Sequence, residues 1–146
     1  MRRYLVVAHQ TLSSPELIEK MTARAGEEES TFHLLVPVYH GEPGLTWTEG
    51  HDRGVALGHL EEALIRLTAA GLTVSGEVGS DSPVESVVDV LLRDGADAFD
   101  EIIVSTLPKT VSRWLKIDAP SRIQRYTTLP VHHVIGHPAE VVARSG

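Results

Sequence analysis

Apolar residues along this chain fall into short unbroken runs, separated by stretches where they recur every three or four positions. Tyr4-Leu5-Val6-Val7-Ala8 is apolar at successive positions, which predicts a strand buried on both faces. Ser13, Ser14 and Pro15 then supply an N-cap and a first-turn proline, and Glu16 is placed to complete a capping box with Ser13. Leu17, Ile18, Met21 and Ala25 give the following helix one apolar stripe, with Gly26 as its expected stop. Thr31–Val38 reads as a second strand, with Pro37 near its end where no ladder N–H is required. Residues 39–51, rich in Gly, His and Pro, read as a long loop.

From about Asp52 to Ala70, the spacing of Leu57, Leu60, Leu64 and Leu67 predicts an amphipathic helix ended by Gly71. Leu72–Val78 is a third strand. Ser82-Pro83-Val84-Glu85 is a capping box with proline at the first helical position, and it opens a helix whose stripe is Val84, Val87, Val88 and Leu91. Asp100–Val104 is a fourth strand, Ser121–Tyr126 a short helix, and Val131–Ile135 a fifth strand introduced by Pro130. Strands alternating with helices require right-handed crossovers, hence an α/β fold with an open parallel sheet covered by helices on both faces. With 146 residues, 42% of them hydrophobic, and no internal repeat or linker, the sequence reads as one domain over residues 1–146.

Charge and composition then remove several functions. A net charge of −7 argues against nucleic-acid or anionic-membrane binding as the main activity. Without cysteine there is no disulfide framework, thiol nucleophile or zinc-thiolate site. The apolar run at Tyr4–Ala8 is too short for a signal peptide or a membrane span, so a cytoplasmic location is expected.

The exception to the acidic balance is the segment from Asp100 to Arg125. Lys109, Arg113, Lys116, Arg122 and Arg125 fall within 17 residues that hold one acid, Asp118. The segment follows a strand, where open α/β sheets hold ligands. A candidate pocket for a small anionic ligand therefore lies between the ends of strands one, two and four, built from Ala8, His9, Val38, Ser105, Thr106, Lys109 and Arg113. The competing reading is a solvated cationic face that offsets acids such as Glu27, Glu28 and Glu29. Trp114 is expected to cap the core beside this loop rather than stack on a base. His9 is expected to be partly buried and bonded to a nearby backbone group, with donation to a phosphate or ribose as the alternative.

Other chemistry finds little support. His132 and His133 are adjacent on a strand and point to opposite faces, and His33, His40, His51 and His59 lack ligand spacing, so no metal site is expected. There is no Walker A sequence, no G-x-G-x-x-G after a strand, and no G-x-S-x-G around Ser105. No pair of carboxylates stands in distinguishable environments, so no catalytic residue is assigned.

Several of these segments together resemble the universal stress protein family: RYLVVA, the second helix ending in AAGL, the GSDSPVESVVDVL turn and helix, DEIIVS, and the closing LPVHHV. The resemblance covers nearly the whole chain. It implies a Rossmann-like five-stranded parallel sheet of order 3-2-1-4-5, and a homodimer formed through the last strand, Val131 to Ile135. It also implies ATP, AMP or another adenine nucleotide as ligand. Nucleotide-binding members carry an aspartate after the first strand and a G-x2-G-x9-G-S/T run after the fourth. This sequence places His9 at the aspartate, Ser105 and Pro108 at the first two glycines, and Asp118-Ala119 at the final pair. Proline removes a backbone donor, and Asp118 repels phosphate. The resemblance thus implies a regulatory, ligand-binding module with a degenerate nucleotide site. The alternatives are an enzyme of the same superfamily that cleaves or transfers at an adenylated phosphate through Lys109 and Arg113, and an assembly module in which Pro108, Trp114 and Ile117 fill the former phosphate space.

The open edge of the last strand gives the dimer a physical reason of its own, since an edge strand with apolar residues invites pairing and a twofold axis covers both copies at once.

Overall fold

The structure, a computed structural model, describes residues 1–39 and 49–137. In chain order the elements are β1 (Arg2–Val7), α1 (Pro15–Glu27), β2 (Ser30–Val36), α2 (Glu49–Ala69), β3 (Thr73–Val78), α3 (Pro83–Asp94), a 3-10 turn (Ala96–Ala98), β4 (Glu101–Thr106), α4 (Arg113–Lys116), α5 (Ala119–Gln124) and β5 (Val131–Ile135). All pairings are parallel and the strand order is β3-β2-β1-β4-β5, as expected.

Strand position explains strand composition. β1 is central, and its residues from Tyr4 onward are buried, as is the whole of β4. Tyr4, Val6, Phe32, Leu34 and Ile103 face α1 and α2, where Leu17, Met21, Leu60 and Leu67 cover them. Leu5, Val7, Leu35, Ile102 and Val104 face the opposite layer, packing on Val84, Val87 and Val90 of α3 and on Ala119 and Ile123 of α5. A period of two therefore divides each strand between two cores. The outer strands β3 and β5 are only partly covered, and no residue of either is fully buried.

Helix ends follow local chemistry, with some departures from expectation. Ser14, not Ser13, caps α1 by accepting from Leu17 N, with Pro15 at the first helical position. Gly26 does not stop α1: the helix runs on to Glu27, because the chain leaves through an extended Glu28 and needs no left-handed residue there. Gly71 does end α2, at φ +91, a conformation that costs a side-chain-bearing residue. The stripe of α2 is Ala56, Leu60, Ala63 and Leu67, while Leu57 is exposed; small alanines let this helix sit close to the sheet. In α3 only the Ser82 half of the expected capping box forms, its hydroxyl accepting from Glu85 N, while Ser82 N donates to the Ser80 hydroxyl rather than to Glu85; Val90 is buried where Val88 is only half-buried.

Two boundaries matter for function. β4 extends two residues further than expected, so Ser105 and Thr106 are buried strand residues rather than a loop. α4 is an extra turn, capped by Ser112 through Leu115 N. The loop expected over 39–51, and His40 within it, lie outside the described residues apart from Tyr39 and the first turn of α2.

Candidate functional site

The carboxyl ends of β1, β2 and β4 meet in a small cleft. It is lined by the turn after β1 (His9 to Thr11), the exit of β2 (Pro37 to Tyr39), the end of β4 (Ser105 to Leu107) and the start of α4 (Ser112 to Trp114). Local hydrogen bonds shape each wall. After β1, Leu12 N donates to His9 O and Ser14 N to Thr11 O, which turns the chain into α1. Thr11 and Ser105 hydroxyls bond at 2.6 Å and tie that turn to β4. After β4, the Pro108 carbonyl accepts from Val111 N and Ser112 N, closing a tight turn that delivers Arg113 to the rim.

The cleft is nearly filled. Its cavity of about 20 Å³ has room for roughly one water molecule. The Arg113 guanidinium lies 5.0 Å from the centre of the Tyr39 ring, a cation–π contact across the mouth. Trp114 packs against the α3/α5 core while lining the cleft, the core-capping position expected for it.

His9 sits at the inner end and is 6% exposed. Its ring stands edge-on to Tyr39 at 6.3 Å and to His59 at 5.2 Å. Burial, and then the neighbouring His59, lower its pKa to about 4 against the opposing pull of a hydrogen bond to the Pro37 backbone. The imidazole is therefore neutral at pH 7. Its Nδ1 is buried and has no hydrogen-bond partner among the described residues.

Of the residues singled out from sequence, His9, Val38, Ser105, Thr106 and Arg113 line the cleft. Ala8 does not; it is fully buried in the α1/α2 core, and its N–H donates to Leu35 O. Lys109 is exposed and lies off the cleft, because the Pro108 turn carries it outward. Lys116, Arg122 and Arg125 are exposed as well, so most of the cationic run is solvated surface. Ile117 is 44% exposed and fills no space in the cleft.

Asp118, at one of the glycine positions of the resemblance, adopts φ +55 and ψ +45. The backbone still requires a left-handed residue there, and aspartate tolerates it better than most. Thr11 and Tyr39 complete the site but carried no signal in the sequence. Tyr39 is legible only as an aromatic just past a strand end, and Thr11 is marked by nothing.

The cleft offers little for turnover. The Thr106 hydroxyl donates to Leu107 O, and its oxygen meets His133 Nε2 at 2.8 Å. Ser105 is engaged with Thr11, and no carboxylate lines the cavity among the described residues.

No family model matches the sequence, and no curated protein matches it significantly. Solved structures do resemble it. A universal stress protein in complex with cAMP aligns with a TM-score of 0.59 at 15% identity, over 94% of this chain and 98% of that one. A universal stress protein from Archaeoglobus fulgidus gives 0.61 at 14% identity, over 92% and 93%. An Arabidopsis thaliana member of that family with AMP bound gives 0.63 at 11% identity, over 96% and 95%. The chain has the universal stress protein fold. Among its described residues no helix is long and apolar enough to cross a membrane.

Proposed function

We propose that the protein is a regulatory module of universal stress protein architecture that binds the nucleoside part of an adenine nucleotide at this cleft without turning it over. The observation that carries the reading is the unsatisfied Nδ1 of a neutral, buried His9. An acceptor left unpaired in a protein interior costs about 1–3 kcal/mol. A ligand N–H or O–H that enters as Arg113 and Tyr39 part would recover that cost, whereas a phosphate oxygen, itself an acceptor, would not. Structures of similar fold hold cAMP and AMP, which supports adenine compounds as the ligand class. The engaged hydroxyls of Ser105 and Thr106, and a cleft with no carboxylate among its described lining residues, favour binding over hydrolysis or phosphoryl transfer.

Thermal-shift titration tests this reading, since a ligand bound only by the folded state raises the melting temperature by mass action. Adenosine, AMP, cAMP and ATP should give comparable rises, because no glycine loop rewards added phosphates. A rise that grows with phosphate number would point instead to a charge clamp by Arg113. The absence of any rise at millimolar adenosine or nucleotide would leave only the assembly role.

Assembly is the second part of the proposal. Among the described residues β5 is an outer strand with no partner on its far edge, and Ile135 on it is 45% exposed. Pairing two β5 strands about a twofold axis would cover both edges. Light scattering should give twice the chain mass of 15.9 kDa at micromolar concentration; a mass of one chain removes the dimer.

A further inference from the structure

On the opposite edge of the sheet, away from the cleft, three side chains form a relay. His33 on β2 lies in register with Ser75 on β3. Its Nδ1 is 2.8 Å from the Ser75 hydroxyl, and its Nε2 is 2.7 Å from Glu77 Oε2. Glu77 in turn receives both terminal nitrogens of Arg93, at 2.7 and 2.6 Å. Those Arg93 hydrogen bonds, helped by His33 and opposed by partial burial, hold the Glu77 carboxyl below its usual range.

An ionised carboxylate can only accept, so the neutral tautomer that fits both contacts donates from Nε2 to Glu77 and accepts at Nδ1 from the Ser75 hydroxyl. This is the protonation pattern that activates a serine hydroxyl as a nucleophile. Ser75 is exposed, and it lies with His33, Phe99, Val74 and Ala98 along an open cleft of about 290 Å³. The Phe99 ring stacks on His33 at 6.1 Å and fixes its plane. Among the described residues β3 is an outer strand, so alternate backbone N–H groups on it point away from β2 and meet no partner strand, which makes them candidate donors to an oxyanion.

We propose that Ser75, His33 and Glu77 form an acyl-transfer site for small carboxylic esters, separate from the cleft at the strand ends. Ser75 Oγ attacks the acyl carbon while its proton passes to His33 Nδ1. The tetrahedral intermediate collapses, the ester C–O bond breaks, and the departing alcohol takes that proton. Water then attacks the acyl-Ser75 carbonyl with His33 as base; the acid leaves and the proton returns to Ser75. Glu77 acts through His33 as a positioning residue.

A fluorophosphonate probe supplies the direct test, because Oγ–P bond formation with loss of fluoride leaves a permanent mark. Intact protein should take up one label, mapped by peptide mass spectrometry to Ser75. His33→Gln, which keeps the serine, should label at least about 100-fold more slowly. With p-nitrophenyl acetate, Ser75→Ala should abolish turnover above background, and Glu77→Gln should lower kcat with KM unchanged. No label on Ser75 at millimolar probe, or equal labelling of His33→Gln, overturns the proposal. Neither readout depends on nucleoside binding, so the two sites stand or fall separately.

Discussion

Acidification from about pH 7 to about pH 4 should cost the protein roughly 3 kcal/mol more stability than it costs a His9→Gln variant. His9 is neutral when folded, with a pKa lowered from 6.5 to about 4 by burial first and His59 second. In the unfolded chain the same imidazole takes its proton near 6.5. Between those values the unfolded state holds more protons, so lowering the pH favours unfolding. The stability is fully present above pH 6.5 and is lost progressively as the pH falls through the folded-state value. Urea unfolding midpoints across the window give the difference directly, because Gln at position 9 does not titrate and can still donate to the Pro37 backbone. Carboxylates held low elsewhere, such as Glu77 and Glu101, act in both proteins at lower pH and cancel in the comparison. Parallel pH profiles for the two proteins would mean that His9 is not a buried neutral ring, and the acceptor argument for the cleft would fall with it.

Phe32→Ala should be the more damaging change at neutral pH, at about 3–5 kcal/mol. Phe32 is 1% exposed on β2, and its ring stacks on Tyr4 of β1 at 5.0 Å with the planes 14° apart. The pair fills the α1/α2 core beside Leu34 and Leu72, and truncation leaves a void that closely packed neighbours cannot close. Domains of this kind have about 5–15 kcal/mol in total, so the loss is a large fraction of it. The urea midpoint should fall with the slope unchanged. Ile65→Ala is the matching control: Ile65 is 73% exposed on α2, and its truncation should stay within about 0.5 kcal/mol of wild type. A midpoint for Phe32→Ala close to that of the control would contradict the packing described for this layer.

Local sequence determined much of the architecture, for reasons that operate over a few residues. The apolar run Tyr4–Ala8 needs cover on both faces, Ser82 with Pro83 and Glu85 starts a helix, and Gly71 ends one. Alternation of such elements leaves few chain paths, and the family resemblance implies the strand order found. The same local logic located the cleft, because strand ends in an open sheet mark it.

What the sequence could not determine depends on residues distant along the chain. Cation density made Lys109 and Arg113 look equivalent, yet the Pro108 turn sends one to solvent and the other over Tyr39. Ala8 adjoins His9 in sequence, but one residue of strand alternation puts it in the core. The relay of Ser75, His33 and Glu77 exists only through the register of β2 against β3, which no spacing within either strand reveals. Elements follow from periodicity and caps, which neighbouring residues define. Sites follow from register, side-chain direction and the space left between layers, and only the folded chain defines those.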